Sequence, residues 1–421
     1  MLTRHRIYRQ NSNDLSALAN HSVDLVVTSP PYPMIEMWDD LFRKMDPAVD
    51  EALRREDGPA AFEAMNRLLD PVWAEVRRVV KPGGLVCVNI GDAVRSQKGT
   101  FALHMNHARI ASAMLADQFV ALPAILWRKQ TNAPNKFMGS GMLPAGAYVT
   151  LEHEFILIFR NGDKRTFAKP ADKQARRESA FFWEERNLWF SDVWMDLKGA
   201  RQHLVDKSTR ERSAAFPFEL PYRLIQMFSL RGDTVLDPFM GAGTTAAAAM
   251  ASARNSVGYE LSADLPTAIL SDPQAIMEIG NQRVADRFAR HLEFVEERTR
   301  TKGPLKHTNE PYGFPVMTKQ ETALKLYQLQ AIRATGKGQW EADHAFLPLD
   351  AGPEIPDAPE RENSLFPQEL GEPEVEATPP TEPVAGETPP ADTDATPKKR
   401  RGPKTTKSRV VPEKAQRDLW E

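Results

Sequence analysis

Short apolar runs with strand character alternate with amphipathic helical stretches along most of the first 300 residues. The runs that predict strands are residues 23–28, 85–90, 120–127, 154–159, 234–237 and 256–260. Helical spacing of apolar residues predicts helices at 62–80, 104–118, 220–230, 244–254, 273–300 and 318–334. Strands that alternate with helices in this way build a mainly parallel sheet with helices on both faces. The predicted fold class is therefore α/β.

The composition divides the chain into a body and a tail. The chain has 421 residues, which is enough for two or three domains. Residues 351–397 carry 12 acidic residues, one basic residue and 11 prolines, which predicts a disordered acidic linker. Residues 398–409 carry seven basic and no acidic residues, so that 398–421 forms a basic tail. The overall net charge of −3 therefore says little about the partners of the body.

The cellular setting is predicted from cysteine content and hydropathy. Cys87 is the only cysteine, which excludes an internal disulfide framework and suits a reducing cytoplasm. The first residues lack the apolar segment of a signal peptide, and no apolar run has the length of a membrane span. We therefore expect a cytoplasmic protein.

The first predicted strand runs into the sequence TSPPY at residues 28–32. Pro30 and Pro31 cannot donate backbone hydrogen bonds, and each proline restricts the residue before it to extended geometry. The Ser29 hydroxyl and the Pro30 carbonyl are thus predicted to be rigid hydrogen-bond acceptors beside the ring of Tyr32.

A second motif, DPFMGAGTT at residues 237–245, follows the strand at 234–237. Gly241 and Gly243 allow a ligand to approach the backbone closely, and the helix that follows offers free amides at its N-terminus. Glu260 ends the next strand 19 residues after Gly241. This spacing is near that of the ribose-binding acid in dinucleotide sites, so the spacing alone leaves a nicotinamide site open.

The residues between the strand and the glycines argue against a pyrophosphate ligand. A pyrophosphate loop has glycine and free amides directly after the strand, whereas this chain has Asp237, Pro238 and Phe239. A carboxylate at this place suits a cationic group, such as the amino-acid end of S-adenosylmethionine.

The order of the two motifs resembles that of the amino-methyltransferases of DNA, in the class whose catalytic motif precedes its cofactor motif. Six shorter motifs stand in the expected order at 78–92, 126–129, 152–162, 191–194, 216–225 and 257–260. The resemblance covers about residues 1–300. It implies a methyltransferase domain with a Rossmann-like sheet of seven, mostly parallel strands, S-adenosylmethionine as methyl donor, and a base flipped out of double-stranded DNA. The implied reaction needs no metal.

The resemblance also implies roles for individual residues. Ser29 and the Pro30 carbonyl would hold the exocyclic amine of the flipped base, Pro31 would keep them rigid, and Tyr32 would stack on the base. The implied cofactor residues are Thr28, Phe216, Pro217, Asp237, Pro238, Phe239, Gly241, Gly243, Thr244 and Glu260. Within this set, Asp237 would hold the methionine amino group and Glu260 the ribose hydroxyls.

Ser29 is the first residue of the four-residue motif SPPY at 29–32, and its identity bears on which base is methylated. Ser29 favours the N4 amine of cytosine, because relatives that methylate adenine N6 usually carry aspartate or asparagine there; the adenine reaction stays open. Methylation at carbon 5 of cytosine is disfavoured, since it requires a reactive thiolate and Cys87 lies inside the predicted strand 85–90. A catalytically inactive DNA-binding regulator on the same fold is the alternative from another class, and the two intact motifs argue against it.

The segment 161–212 is polar, charged and rich in aromatic residues. In the family that the chain resembles, target recognition maps to this position, between the 152–162 and 216–225 motifs. The candidate DNA contacts are Arg176, Arg177, Arg186, Lys198 and Arg201, with ordinary solvated surface an equally good interpretation. Its aromatic residues predict a small core rather than a base-stacking platform.

The region after the methyltransferase domain is predicted to contain a helical extension at 301–350. In the basic tail, Lys398, Lys399, Arg400 and Arg401 open a run that resembles an AT-hook, with a generic phosphate-binding tail as the alternative. A cognate restriction endonuclease as partner and the oligomeric state are both left open by the sequence.

Overall fold

The computed structural model describes residues 1–129, 138–139, 141–197, 216–262 and 270–347. The helices are α1 (Asp39–Met45), α2 (Pro47–Arg54), α3 (Gly58–Val79), α4 (Asn106–Ala116), α5 (Pro170–Glu178), α6 (Trp183–Trp189), α7 (Glu219–Phe228), α8 (Thr244–Ala251) and α9 (Pro273–Lys302). Short 3-10 helices lie at Glu36–Trp38 and Lys319–Glu321. Among the helices in these ranges, none has both the length and the apolar character needed to cross a bilayer.

The strands lie between these helices. They are β1 (Leu2–Tyr8), β2 (Val23–Thr28), β3 (Val80–Ile90), β4 (Ala93–Gln97), β5 (Thr100–His104), β6 (Phe119–Arg128), β7 (Met138–Gly139), β8 (Ala147–Tyr148), β9 (His153–Asn161), β10 (Val193–Trp194), β11 (Thr234–Asp237), β12 (Asn255–Tyr259), β13 (His307–Thr308), β14 (Pro315–Val316), β15 (Tyr327–Gly336) and β16 (Gln339–Phe346). All six strands predicted from apolar runs are present, with shifts only at their ends.

Ten strands form one mixed sheet in the order β10-β6-β9-β3-β2-β11-β12-β1-β16-β15. Neighbours from β3 to β1 are parallel, whereas β9 is antiparallel to both β3 and β6, and β16 is antiparallel to both β1 and β15. The α/β class is confirmed. The prediction of a seven-stranded, mostly parallel sheet was wrong, because the sheet is mixed and has three more strands.

One strand without a sequence prediction is β1. Its sequence, LTRHRIY, shows no apolar alternation, because its buried face consists of the polar residues Thr3 and His5. The Thr3 hydroxyl lies 2.9 Å from ring nitrogens of both His5 and His344, and the other ring nitrogen of His5 lies 2.8 Å from Ser256 Oγ. Burial lowers the pKa of His5 to about 3, so these pairs are neutral hydrogen bonds within the sheet.

The predicted helix at 318–334 was also wrong, since the second half of this segment forms β15. A β-bulge between Leu329 and Ala331 brings Leu329 and Ile332 to the same face of the sheet, opposite His344 and Ala342. Three-residue spacing is typical of a helix, so the bulge makes this strand resemble a helix in sequence. The predicted helical extension at 301–350 is accordingly built largely of β13 to β16 in its described part.

Helices cover both faces of the sheet, as predicted. In β2, Leu25 and Val27 pack into a core cluster with helices α7 and α8, whereas Val26 packs into a second cluster with α2 and α3. Trp73 of α3 is fully buried in the second cluster. Successive side chains of β2 are therefore buried on opposite faces of the sheet, as expected for a central strand.

The centre of the sheet is a topological switch point. From β2 the chain crosses to β3 on one side, and from β11 it crosses to β12 on the other side. Ligands of open α/β sheets bind in the crevice at such a point, beyond the carboxyl ends of the strands. We call the side where β2 and β11 end the carboxyl edge and the side where they begin the amino edge. The six residues of β2 place the edges about 20 Å apart.

Candidate active site

A hydrogen bond joins the two sequence motifs at the carboxyl edge. Thr28 Oγ1, at the end of β2, donates to Asp237 Oδ1, at the end of β11, over 2.6 Å. The backbone amide of Phe239 donates to the same oxygen over 3.1 Å. Residues that are 209 positions apart in sequence thus share one site.

Asp237 is an ionisable group in an unfavourable place. Only 4 % of the residue is exposed, and this burial raises the pKa of its carboxyl to about 6. Hydrogen bonds from Thr28, Thr245 and the Phe239 amide partly oppose the rise in pKa. The charge of Glu260 adds to it. A carboxylate in this position gains stability from a cationic ligand.

The turn after Asp237 leaves room for that ligand. Gly241 and Gly243 have φ values of +52° and +95°, which other residues rarely adopt. A Cβ on Gly241 would meet no atom within 4 Å, so the backbone there borders open space. Glu260 Oε2 accepts from the Gly241 amide over 2.8 Å, and Glu260 Oε1 accepts from the Ser262 amide over 2.8 Å. The predicted ribose-binding acid therefore lies directly beside the glycine turn.

The remaining predicted cofactor residues surround this turn. Thr244 is buried at the first position of α8, and Pro238 is buried at the start of the turn. The half-buried ring of Phe239 lies edge-on to Trp73, with 5.9 Å between ring centres. Phe216 and Pro217 are both buried, and Phe216 belongs to the same core cluster as Met240 of the turn.

The TSPPY segment forms the other half of the site. Ser29 Oγ donates to Tyr32 Oη over 3.2 Å, and Tyr32 Oη donates to Glu154 Oε2 over 3.0 Å. Asn89 Nδ2 donates to both Tyr32 Oη and Glu154 Oε2, over 2.9 and 2.7 Å. Burial and the charge of Glu154 raise the pKa of Tyr32 well above its ordinary value, so the phenol keeps its proton.

Asn89, Glu154 and Lys129 were not among the predicted site residues. Lys129 Nζ donates to Glu154 Oε1 over 2.9 Å, which balances the carboxylate. Asn89 is the second-last residue of β3, at the carboxyl edge, so the rule that singled out Ser29 and Asp237 could have found it. Glu154 lies near the start of β9, and it reaches this edge only because β9 runs antiparallel to β3.

The burial of Cys87 limits the chemistry of the site. Cys87 is fully buried inside β3, and burial raises the pKa of its thiol well above the ordinary value. It therefore lacks the thiolate that methylation of carbon 5 requires. Within the described ranges, no group of three or more histidine, cysteine, aspartate or glutamate side chains is arranged to hold a metal ion.

Known protein families and structures include relatives of this chain. The sequence profile of a DNA methylase family of the N6/N4 type matches residues 23–269, which include both motifs. The chain belongs to this DNA methylase family. Its substrate is therefore DNA, and its cofactor is S-adenosylmethionine. The buried carboxylate of Asp237 and the open space at Gly241 suit the cationic amine and the bulk of this cofactor.

Individual relatives cover most of the methylase. This chain is 48 % identical over 342 residues to the type II methyltransferase M.MthZI of Methanothermobacter thermautotrophicus, and the match covers 81 % of this chain and 95 % of that protein. It is 47 % identical over 274 residues to the type II methyltransferase M.MjaI of Methanocaldococcus jannaschii, covering 62 % of this chain and 89 % of that protein. A DNA modification methylase from Thermus thermophilus, solved with S-adenosyl-L-methionine, is 30 % identical with a TM-score of 0.48, and the match covers 62 % of this chain and 89 % of that one.

The three predicted DNA contacts that the structure describes do not lie at the carboxyl edge. Arg176 and Arg177 on α5 and Arg186 on α6 line a cleft of about 1630 Å³ at the amino edge. The cleft also includes Gly83 and Leu85, from the first half of β3. We call this feature the amino-edge cleft.

The other predicted DNA contacts cannot be placed. Lys198, Arg201, Lys398, Lys399, Arg400 and Arg401 all lie outside the described residues. As predicted, aromatic residues of the 161–212 segment contribute to the core: Phe182, Trp189 and Trp194 are buried.

Proposed function

We propose that the protein transfers a methyl group from S-adenosylmethionine to the N4 amine of a cytosine that is flipped out of duplex DNA. The observation that carries this proposal is the 2.6 Å bond between Thr28 and Asp237. It supports a single site in which the TSPPY acceptors face the cofactor turn across the switch point.

The residues suggest how the amine is made reactive. The lone pair of an exocyclic amine is delocalised into the base, so the amine is a poor nucleophile. Acceptors at Ser29 Oγ and the Pro30 carbonyl would hold the two N–H groups and turn the lone pair toward the methyl carbon. The new nitrogen–carbon bond would form as the carbon–sulfur bond breaks and leaves its electron pair on sulfur, and one proton would pass from the nitrogen to solvent water. The cofactor supplies a methyl group already activated by its positively charged sulfur.

The hydrogen-bond network behind Tyr32 supports its proposed role as a stacking surface. Its hydroxyl is bonded to Ser29, Asn89 and Glu154, which fixes the ring without using its face. A Cβ on Gly91 would come within 3.1 Å of the ring, so the backbone there packs closely against it. A fixed ring presents a ready face to a flipped base at little cost in side-chain entropy.

The proposed cofactor contacts follow the same geometry. Asp237 would bind the methionine ammonium, and Glu260 would bind the ribose hydroxyls while it keeps the Gly241 amide in place. Target recognition by the 161–212 segment and pairing with a restriction endonuclease remain predictions.

The test is to incubate the purified protein and S-adenosylmethionine with duplex DNA and to identify the methylated nucleoside by mass spectrometry. We expect N4-methylcytosine. Finding N6-methyladenine alone would overturn the choice of base and keep the class, whereas no transfer to any duplex would favour the inactive regulator.

A Ser29→Ala variant is the control for the catalytic half of the site. It removes an acceptor used in the transition state, so turnover should fall at least about 100-fold, as for the loss of a single transition-state hydrogen-bond partner elsewhere. Cofactor affinity, measured by calorimetry, should stay within about twofold. A parallel loss of cofactor affinity would show that Ser29 belongs to the cofactor half.

A further inference from the structure

The amino-edge cleft is strongly basic. Its lining includes eight lysine and arginine side chains but only two acidic ones, Glu310 and Glu321. Glu321 already accepts hydrogen bonds from the Trp183 amide and from Thr318. The cleft therefore keeps a large positive charge that its own acids do not cancel.

Two nearby acids outside the lining are already paired, one with the lining residue Arg165 and one with a cation outside the lining. Asp233 accepts two bonds from Arg165, and Glu178 accepts from Lys325. In the described part of the chain, seven of the eight lining cations, all except Arg165, have no carboxylate within salt-bridge distance. All seven are exposed or half-buried at the surface. Such a concentration of like charge costs stability unless an anion neutralises it.

The aromatic rings in the cleft support the arginines. Two guanidinium groups lie over the ring of Phe167, at 5.2 Å for Arg165 and 4.8 Å for Arg176 from its centre. Trp183 stacks on Phe294 at 5.5 Å, and Arg186 lies over Phe190 at 5.9 Å. These rings are occupied by protein groups, so the cleft presents cationic N–H groups to a ligand rather than free faces for base stacking.

The size of the cleft points to an extended ligand. Pockets for small molecules usually measure about 300–1,000 Å³ and are mainly apolar, whereas this one measures about 1630 Å³ and is lined by cations. We propose that the amino-edge cleft binds the sugar–phosphate backbone of a second DNA segment, distinct from the segment that presents the target base.

One short duplex cannot occupy both the amino-edge cleft and the active site. The cleft and the Ser29–Asp237 site lie at opposite edges of the sheet, about 20 Å apart along the strands. Duplex DNA has a persistence length of about 150 base pairs, so a duplex of about 20 base pairs cannot bend round the protein to fill both. A second short duplex, or a distant part of a long molecule, would occupy the cleft. The inference rests on DNA as the substrate and not on which base is methylated.

The test uses the full chain with Lys164, Lys173 and Lys319 all changed to glutamine. The matched control changes Lys302, Lys306 and Lys337 to glutamine; these lysines are also exposed, and none of them lines the cleft. Both variants lose three positive charges. A labelled duplex of about 20 base pairs without a target site is titrated onto protein already saturated with a target duplex and cofactor.

We expect wild type and control to bind the second duplex at low salt. The cleft variant should bind it at least about tenfold more weakly, with a log–log salt slope reduced by about 0.9 for each phosphate that the protein no longer neutralises. Single-turnover methylation of the short target duplex should be unchanged in both variants. Equal binding of the second duplex by all three proteins would overturn the proposal. Loss of short-duplex methylation in the cleft variant alone would instead assign the cleft to the target segment.

Crosslinking gives a second readout. Cys87 is fully buried, so a photo-crosslinker attached to an Asn187→Cys variant reacts only from the cleft, while Glu296→Cys on α9 serves as control. We expect DNA adducts from position 187 with duplexes of any sequence and few from position 296. Adducts with an acidic protein in place of DNA would overturn the proposal and identify a protein partner.

Discussion

Asp237 is a buried carboxyl that we propose binds the cofactor. Its carboxyl has a pKa of about 6 in place of 3.8, and a rise of about two pKa units corresponds to about 3 kcal/mol. Because the pKa in the folded state exceeds that in the unfolded state, the charged carboxylate lowers the free energy of unfolding above pH 6. A buried charge that lowers stability at neutral pH is typical of a site that binds a ligand of opposite charge.

At this scale we predict that cofactor affinity falls as the pH is lowered from 8 to 5. Protonation of Asp237 through a pKa of about 6 would remove the charge that we propose binds the ammonium. Calorimetric titration with S-adenosylmethionine across this range measures the effect.

An Asp237→Asn variant is the control for this prediction. Its amide oxygen can still accept from Thr28 and Phe239, but the charge is gone, so affinity should be low at every pH. The melting temperature without cofactor should rise by a few degrees, because the buried charge is removed. Affinity that stays level from pH 8 to pH 5 in the wild type would contradict the role given to Asp237.

The turn between β11 and α8 depends on glycine for two different reasons. Gly241 has a left-handed backbone and borders open space, whereas Gly258 on β12 is in contact with the turn itself, since a Cβ there would overlap the sulfur of Met240. Gly241 therefore leaves room for a ligand, whereas Gly258 leaves room for the side chain of Met240.

For this element we predict that Gly241→Ala lowers cofactor affinity at least about tenfold. The left-handed backbone costs an alanine about 1–2 kcal/mol of stability, and the new methyl group projects into the space beside the turn. Gly313→Ala is the matched control: Gly313 has a φ of +74° and also borders open space, but it lies in the turn between β13 and β14. Thermal unfolding should show similar losses in both variants, whereas calorimetry should show lost cofactor affinity only for Gly241→Ala. Unchanged affinity in the Gly241 variant would separate the turn from the cofactor.

At the scale of the whole molecule, the candidate active site and the basic cleft lie at opposite edges of the sheet. The acceptors and the buried carboxylate lie at the carboxyl edge, and seven cations that lack a carboxylate partner among the described residues line the amino-edge cleft. The sequence adds seven basic residues at 398–409, after the acidic 351–397 segment. Under the proposals above, both basic regions would add non-specific affinity for DNA.

We predict that a chain ending at residue 397 methylates the same DNA sequence with the same single-turnover rate. Loss of the basic residues removes up to seven phosphate contacts, so binding should weaken at low salt and the log–log salt slope should fall by several units. A chain ending at residue 350, which also lacks the acidic segment, separates the effects of the two charge blocks. An unchanged slope, or methylation at a different sequence, would show that the tail is not a non-specific DNA anchor.

Local sequence was sufficient where neighbouring residues decide the structure. The apolar run 23–28 and the run 234–237 became β2 and β11 with the predicted bounds. The prolines after the first and the glycines after the second mark the turns that carry the motifs. For these segments the period of apolar residues and the turn chemistry agree with the fold.

Only the tertiary structure decided what depends on distant pairing. The buried face of β1 is polar because partners from β12 and β16 satisfy it, and no local pattern reports that. The bulge in β15 produced a helical spacing in a strand. Glu154 joined the site through the antiparallel direction of β9, and Arg176 and Arg177 were placed at the amino edge by the path of the chain after β9. Strand order and direction arise from contacts between residues far apart in sequence, so single-sequence periodicity predicted the strands and their chemistry but not which edge each side chain would reach.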